Sequence, residues 1–488
     1  MKKIYILMVA SGIMSFAACS QSDDLVQDNT LDVAQEEMPV AFSTYVASNT
    51  NATTRSTYGG TGLFATTDLE GTYNATPSSR TGGFGIYAYT HTGATVTVSE
   101  KPDFMLNQQV VKNGASGWVY DPVKYWPNQT ASEGTANNPT DSQTGNTATA
   151  PDRKYVSFFA YAPYIPLVAE EGINGIRKSG TYAGNVFGAT AQVEYGITQL
   201  PVETTPNYPK VHYVMNPTAA QSQDLLFGVA PAGGISYRAV NGEQVTVAQG
   251  MGLEKMLKPA THTQMKFLFL HALTALKINI AAAIDELSPG TNALDAATKV
   301  YVNSITLTPV AAVDPATAWS IASAGDLNLN PTTAGIPNWE SPTTATNLKI
   351  GTTVGTDAVN VQINTDLQNG GAGVTNKKRD VFTDHSTAAG TDDTTFDPLM
   401  FIPIYTGIFN RTLTVTIDYD VVTTDAAVSG GKVTVNNIVS KDVILKAFKA
   451  GRIYDLSIVL GLTSIKVDAE GFDWAEEDTV IDLPRNLD

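Results

Sequence analysis

Cysteine is nearly absent from this sequence: Cys19 is its single cysteine in 488 residues. A lone cysteine has no partner within its own chain, so no intramolecular disulfide cross-links the fold. Histidine is also scarce, with five residues, and no two of them have the spacing of zinc ligands. The sequence contains no nucleophile elbow, P-loop or dinucleotide fingerprint. No catalytic residue, metal or cofactor is therefore expected.

Basic residues are the minority among the charges, with 30 lysines and arginines against 47 acids. Residues 1–18 hold two of the lysines and no acid, so their removal takes the formal net charge from −17 to −19. Such a surface repels nucleic acid and anionic lipid headgroups, and partners reached through electrostatics should be neutral or basic. After Cys19 the sequence has no further apolar run near 20 residues, the length that spans a bilayer.

The first 18 residues have the features of a secretory signal. Lys2 and Lys3 precede a short apolar run, and Ala17 and Ala18 stand directly before Cys19. Small residues at this place resemble the lipobox of a bacterial lipoprotein, in which the cysteine becomes residue one and acyl chains such as palmitate anchor it. The alternative is an ordinary signal peptide with an accidental cysteine. A lipid on Cys19 would tether the rest of the chain outside the inner membrane.

The chain after the anchor changes character twice. Residues 20–37 are polar and acidic and indicate a flexible leash. Residues 38–46 alternate, which predicts a half-buried strand. Its inward residues are Val40, Phe42, Thr44 and Val46. Residues 47–60 are then rich in Ser, Asn, Thr and Gly around one basic residue, Arg55, which indicates either a protease site or a plain surface loop.

Short strands account for most of the remaining pattern, because helical periodicity of useful length is nearly absent. Residues 155–161 form a strongly apolar strand, and residues 413–419 alternate cleanly. Between residues 309 and 394 apolar anchors are few, so long loops are expected. The sequence predicts an all-β protein with two sandwiches of about seven strands each, divided between residues 262 and 263.

The C-terminal residues 463–488 are strand-like at both ends, although they follow a domain whose strands are already complete in number. The residues with the extended pattern, together with an aromatic one, are Ile465, Val467, Ala469, Trp474, Ile481 and Leu483. Two interpretations are open. The segment is a strand offered to another molecule, or it packs back on its own domain as an ordinary last strand.

Three other features each have a structural and a functional interpretation. His271 lies in a dense apolar run, which favours a core residue over a catalytic one. The acidic residues 391–397 suggest a general base or a calcium site, but their Thr- and Gly-rich surroundings favour a solvated loop. Aromatic residues could form a glycan platform, although alternating aromatics are usually core and cross-strand pairs. These aromatics are Tyr87, Tyr89, Trp118, Tyr125 and Trp126.

Several motifs together resemble the fimbrillins, fimbrial subunit lipoproteins of the Bacteroidetes. Each motif is weak alone, but their order and spacing are fairly specific and cover essentially the whole chain. They are the lipobox followed by Ser-Gln-Ser-Asp-Asp, Ala41-Phe-Ser-Thr-Tyr-Val46, Tyr125-Trp-Pro127, Val156-Ser-Phe-Phe-Ala-Tyr-Ala-Pro163, Asp224-Leu-Leu-Phe227, Leu270-His-Ala-Leu-Thr-Ala-Leu-Lys277 and Lys449-Ala-Gly-Arg-Ile-Tyr-Asp-Leu456.

The resemblance implies how the chain is exported and processed. Such subunits are exported as outer-membrane lipoproteins with two transthyretin-like β-sandwich domains, and an arginine-specific surface protease removes the lipidated N-terminus with the first strand. On this sequence, cleavage falls after Arg55, with Arg80 as the second choice. The implied segments are a signal peptide (1–18), a leash with the removable strand (19–55), two sandwiches (56–262 and 263–462) and a donor-strand segment (463–488).

The resemblance also implies a mode of assembly and a set of partners. A donor strand from the next subunit replaces the lost strand, giving a homo- or heteropolymer of fimbrial subunits on the cell surface that supports adhesion to a host or bacterial ligand. The donor residues would be Ile465, Val467, Ala469, Trp474, Ile481 and Leu483, and a shaft role is favoured over a tip role. The alternative is a surface-retained adhesin or glycan-binding lipoprotein that does not polymerise.

Overall fold

The computed structural model describes the molecule in segments separated by gaps. The described residues are 38–46, 69–91, 102–114, 117–127, 155–166, 180–182, 185–187, 195–199, 208–282, 298–310, 319–351, 358–382, 393, 397–405, 410–446, 448–461 and 465–473. Short 3-10 turns lie at Pro77–Ser79, Ala219–Gln221 and Thr365–Leu367. None of the helical segments within these ranges is long and apolar enough to cross a membrane.

Strands form nearly all of the regular structure. The first thirteen are β1 (Ala41–Val46), β2 (Phe84–His91), β3 (Met105–Lys112), β4 (Trp118–Val119), β5 (Tyr155–Ala162), β6 (Gly180–Tyr182), β7 (Asn185–Phe187), β8 (Gly196–Gln199), β9 (Lys210–Val214), β10 (Leu226–Val229), β11 (Ile235–Arg238), β12 (Gln244–Val247) and β13 (Leu253–Met256).

The next thirteen are β14 (Gln264–His271), β15 (Thr274–Ala282), β16 (Thr298–Pro309), β17 (Trp319–Thr333), β18 (Ile336–Ala345), β19 (Asn347–Gly351), β20 (Ala358–Val361), β21 (Arg379–Asp380), β22 (Leu399–Tyr405), β23 (Asn410–Thr424), β24 (Lys432–Lys446), β25 (Arg452–Leu460) and β26 (Ile465–Asp473). The prediction of an all-β protein with sandwich-like domains is confirmed.

Three large sheets hold these strands. The first has the order β1-β14-β10-β5-β2-β3-β4, with β13 also paired to β5. The second has the order β26-β25-β15-β22-β17-β9-β8, with β18 on β17 and β21 on β15, and the third has the order β20-β19-β16-β23-β24. Two small hairpins, β6-β7 and β11-β12, accompany them. β1 and β26 are therefore both edge strands of large sheets.

The first sheet is buried on both faces. All eight residues of β2 are buried, and so are seven of the eight in β5, which explains the continuous apolar run of that strand. Phe84, Ile86 and Phe158 face one core with Phe42, whereas Tyr87 and Phe159 face a larger core. The larger core extends between the second and third sheets. Two cores thus meet across a single sheet.

The expectation of long loops between residues 309 and 394 is wrong for much of that stretch. β17 and β18 form a long antiparallel hairpin there, followed by the parallel pair β19 and β20. Backbone pairing holds the hairpin, and only a few side chains such as Ile321 and Leu327 enter the core. Small polar residues are compatible with such a strand, because a paired backbone satisfies its own hydrogen bonds.

The position of β14 bears on the domain division expected at residues 262 and 263. This strand begins at Gln264, on the C-terminal side of that division, yet it pairs with β1 and β10 in the first sheet. After β14 the chain returns to the second sheet with β15, and that sheet also contains β8 and β9 from the N-terminal side of the division. The first sheet therefore uses residues from both sides of the expected division.

Candidate functional site

The segment from Met38 to Val46 is part of the core of the first sheet. Met38, Val40 and Phe42 are exposed by only 1, 2 and 1%, whereas Tyr45 on the opposite face is exposed by 42%. This is the alternation that a period of two produces in a half-buried strand. Thr44 is half-buried on the inward face. Val46 ends the strand, and its side chain lies outside the described set.

Backbone hydrogen bonds hold this segment from both sides. Along β1, the pairing with β14 is parallel and runs in register from Ala41 opposite Gln264 to Val46 opposite Phe269. Ahead of β1, the Val40 amide donates to the Lys124 carbonyl at 2.8 Å, and the Trp126 amide donates to the Met38 carbonyl at 2.9 Å. The first strand therefore lies in a slot between β14 and residues 124–126.

Phe42 fills an aromatic pocket at the centre of this slot. Its ring centroid lies 5.5 Å from that of Tyr120, 5.8 Å from that of Phe158 and 6.2 Å from that of Phe267. The Tyr120 hydroxyl donates to the Val40 carbonyl at 2.7 Å, and burial raises the pKa of this phenol well above its ordinary value. The first strand is thus fixed by packing and by side-chain hydrogen bonding.

Two polar groups near the first strand are buried without a hydrogen-bond partner among the described residues. They are the hydroxyl of Thr44 and the indole N–H of Trp126. A buried polar group without a partner costs about 1–3 kcal/mol. The native first strand is therefore not the best possible occupant of its slot, and an apolar residue at the place of Thr44 would fit better.

The C-terminal strand β26 lies on its own domain. It pairs antiparallel with β25, so that Ile465, Val467 and Ala469 lie opposite Leu460, Ile458 and Leu456. Val467 is half-buried and packs against the larger core. Of the two interpretations of the tail, packing back on its own domain is the one seen for residues 465–473. The other three predicted donor residues, Trp474, Ile481 and Leu483, lie outside the described residues.

Of the two predicted cleavage sites, only Arg80 lies within the described residues. Arg55, like the lipidation candidate Cys19, lies outside the described residues. Arg80 follows the turn Pro77–Ser79, its Nε donates to the Asn74 carbonyl at 3.0 Å, and its guanidinium lies 5.3 Å from the Tyr73 ring centroid. An arginine tied into a turn is a poorer protease substrate than one in an extended, accessible segment.

The histidine and acidic residues singled out in the sequence have structural partners. His271 is buried, and its Nδ1 lies 2.7 Å from Oδ2 of the buried Asp224. Asp393 and Asp397 are exposed by only 4 and 2%, so the interpretation as a solvated loop is wrong for these two. The Asp380 amide donates to Oδ2 of Asp393 at 2.8 Å, which joins that loop to β21. Within the described ranges, no three His, Cys, Asp or Glu side chains are placed to hold a metal ion.

The aromatic residues considered as a glycan platform are mostly packed inside. Tyr87, Tyr89 and Trp126 are buried, and Trp118 and Tyr125 are half-buried. Sequence reasoning did not foresee that the stretch from Tyr120 to Trp126 forms one wall of the first-strand slot. The available signal was the density of aromatic residues there, which marks a packed wall without naming its partner.

Comparisons with known proteins gave structural neighbours only. No family model and no curated protein matches the chain. The solved structures that it resembles are fimbrial and cell adhesion proteins of the Bacteroidetes. One is a fimbrial protein from Bacteroides vulgatus, with 18% identity, a TM-score of 0.43, and coverage of 90% of this chain and 99% of that one. Another is the fimbrial anchor protein Mfa2 from Porphyromonas gingivalis, with 7% identity, a TM-score of 0.23, and coverage of 86% and 90%. TM-scores below 0.5 do not establish a common fold.

Substituting Phe42→Ala should lower the free energy of unfolding by about 3–5 kcal/mol, because it empties the aromatic pocket. Tyr45→Ala is the matched control, since it removes an aromatic side chain from the other face of the same strand and should cost less than about 1 kcal/mol. Denaturant unfolding of the uncleaved protein measures both. Equal losses for the two variants would contradict the placement of Phe42.

Substituting Thr44→Val should raise the free energy of unfolding by up to about 1 kcal/mol, because it replaces the unpartnered hydroxyl with a methyl group of similar size. Ser43→Ala, on the opposite face of β1, serves as the control and should change little. The same denaturant measurement applies. A loss of stability in Thr44→Val would show that the hydroxyl does have a hydrogen-bond partner.

Proposed function

We propose that this protein is a structural subunit of a cell-surface fimbria, exported as a lipoprotein and polymerised by exchange of a donor strand. Lipid on Cys19 holds the chain at the outer membrane, and an arginine-specific protease cleaves after Arg55. Cleavage releases the first strand, and a strand from the next subunit takes its place. The assembled fibre supports adhesion.

The observation that carries this proposal is the dependence of the first sheet on β1. Met38, Val40 and Phe42 are fully buried, and each such side chain contributes about 1.5–3 kcal/mol, or roughly 4.5–9 kcal/mol together. This sum is an upper limit, because an unfolded chain already buries some apolar surface. It is nevertheless comparable to the whole stability of a domain, about 5–15 kcal/mol. A subunit without its first strand therefore needs a replacement.

The backbone provides the second part of the driving force. Loss of residues 38–46 would leave β14 with an unpaired edge from Gln264 to Phe269 and would free the Lys124 carbonyl and the Trp126 amide. Such an edge beside an apolar slot is a template for strand addition. Addition of this kind joins one subunit's tail to the next subunit's slot. Because this contact is heterologous and does not close on itself, it gives a filament.

The C-terminal segment is the proposed donor. Ile465, Val467 and Ala469 have the spacing that would replace the inward residues of β1. Ile481 and Leu483 resume an extended pattern after Trp474, which is out of phase with it. β26 is the outermost strand of the second sheet and pairs only with β25 among the described strands. It can therefore leave its own domain without breaking any other strand pair. A chain that both donates and accepts fits a shaft position better than a tip position.

A second candidate function is a surface-retained adhesin or glycan-binding lipoprotein that does not polymerise. The pairing of β26 with β25 favours it, because a donor strand committed to its own domain is not available to a neighbour. The two functions differ in what happens to the lipid. The polymerising subunit loses it with residues 19–55, whereas the stand-alone adhesin keeps it.

Substituting Arg55→Ala should keep the protein lipidated and in the membrane fraction, because the cleavage that frees it is blocked. Arg80→Ala is the matched control and should be processed like the parent chain. Fractionation of cells and the apparent mass of the protein in each fraction measure the outcome. Normal release of Arg55→Ala together with retention of Arg80→Ala would move the site to Arg80.

A synthetic peptide of residues 463–483 should bind the subunit that lacks residues 1–55 and should be displaced by a peptide of residues 38–46, because both occupy one slot. A 463–483 peptide with Val467→Asp should bind more weakly by at least about tenfold, since it would place a charge in an apolar site. Titration with a fluorescent label measures binding. Equal binding to the uncleaved chain would show that the peptide uses a different site.

A further inference from the structure

Strand β24 forms the outer edge of the third sheet. All fifteen of its residues pair with β23, from Lys432 opposite Thr424 to Lys446 opposite Asn410. No described strand pairs with its other edge, although β26 of the second sheet lies close beside part of β24. The outer edge of β24 therefore has no strand partner, and soluble proteins usually shorten, cover or block such edges.

The strand and the turn before it also carry an unusual share of exposed apolar side chains. Eleven large apolar residues are exposed in the described part of the chain, and five of them lie between residues 428 and 446. They are Val428, Val433, Val435, Ile438 and Ile444. Ile438 and Ile444 are exposed by 67 and 71%. Val433 and Val435 lie on one face of the strand and Ile438 and Ile444 on the other, and this concentration in one hairpin marks an interaction surface.

The charged residues of β24 are complementary to those of a second copy of the same strand. Lys432 and Asp442 are both exposed and lie on the same face of β24, each five residues from Asn437. Lys432 forms no ion pair within the described residues, and Asp442 accepts a hydrogen bond only from the Thr414 hydroxyl, at 2.7 Å. If two copies of β24 pair antiparallel about Asn437, Lys432 of each copy faces Asp442 of the other. Opposite charges placed in this way stabilise a strand pair.

Two further pairs of side chains match in the same register. Pairing about Asn437 also sets Val435 opposite Val439 and Thr434 opposite Ser440, whereas Ile438 lies opposite Asn436 and Val433 opposite Lys441. Pairing about Val439 would instead set Lys432 opposite Lys446. Like charges directly opposite are destabilising. Pairing about Asn437 is therefore the register of these two that sets opposite charges across the axis.

We infer that β24 is a contact between two copies of this chain, which add edge to edge and antiparallel about a two-fold axis at Asn437. This contact is isologous and closes as a pair, unlike the proposed head-to-tail contact. It uses a different sheet and does not depend on cleavage or on the first strand. In a filament, it would join two filaments side by side.

A cysteine placed on the two-fold axis tests this directly, because the chain has no other cysteine once Cys19 is replaced. In the full chain with Cys19→Ser, Asn437→Cys should give a covalent dimer with a short bis-maleimide. Val310→Cys, on an exposed residue at the end of β16, should not. Dimers of Asn437→Cys no more abundant than those of Val310→Cys would overturn the contact. Stronger cross-linking through Ile438→Cys would overturn the register.

A charge swap provides the second test and does not disturb the core, since both residues are exposed. Adding Lys432→Asp to the Asn437→Cys chain should lower the yield of cross-linked dimer by about tenfold, because it creates two like-charge pairs. Adding Asp442→Lys to that variant should restore the yield. Restoration supports the predicted pairing of Lys432 with Asp442. An unchanged yield in the single variant would overturn it.

Discussion

The parallel pairing of β1 with β14, with Phe42 in the pocket of Tyr120, Phe158 and Phe267, is the contact on which the first sheet depends. A strand from the start of the chain completes a sheet whose other members come from residues 84–271. Because β1 lies at the edge, no inner strand must move when it leaves. The same position makes the strand essential to the core and separable from it.

The first sheet should lose much of its stability when the first-strand slot is empty. It is packed on both faces, and one of its two cores loses Met38, Val40 and Phe42 together if the first strand goes. The other core, shared with the second and third sheets, does not contain these residues. Loss of the strand should therefore weaken the first sheet and leave the sandwich of the other two sheets intact. In the proposed exchange, such a subunit would stay partly folded until a replacement strand binds.

The Thr44 hydroxyl, which has no partner among the described residues, would favour replacement of the first strand in the proposed exchange. A first strand that fitted its slot perfectly would compete well with any incoming strand. An imperfect fit leaves room for a donor with apolar residues at every second position to bind more tightly. β26 has a comparable place at the edge of the second sheet, so both strands of the proposed exchange can move without breaking other pairs.

The sequence predicted well wherever a period of two was clear. Val40 and Phe42 alternate with exposed residues, and burial of one face follows directly from that pattern. It predicted the hairpin of β17 and β18 poorly, because backbone pairing rather than apolar side chains holds those strands. It also could not show that β14 joins the first sheet. An apolar run shows that a strand is buried, but not which neighbour it pairs with.

For the same reason, the sequence did not show which residues line the first-strand slot. Tyr120 and Trp126 are visible in the sequence as aromatic residues, but their contact with residues 38–42 joins positions about eighty apart. The burial of Asp393 and Asp397 was missed because composition described their loop as polar. The Asp380 amide and the nearby Arg379 guanidinium compensate the Asp393 carboxylate, and sequence alone does not show those contacts.

The N-terminal sequence of the protein sheared from the cell surface tests the central claim most directly. Removal of the first strand predicts a chain that begins at Ser56, with residues 38–46 absent from the released material. A lipid-blocked Cys19, on protein found only in the membrane fraction, would contradict the account. The slot would then stay filled by its own β1, and the pairing of β26 with β25 would be its permanent state.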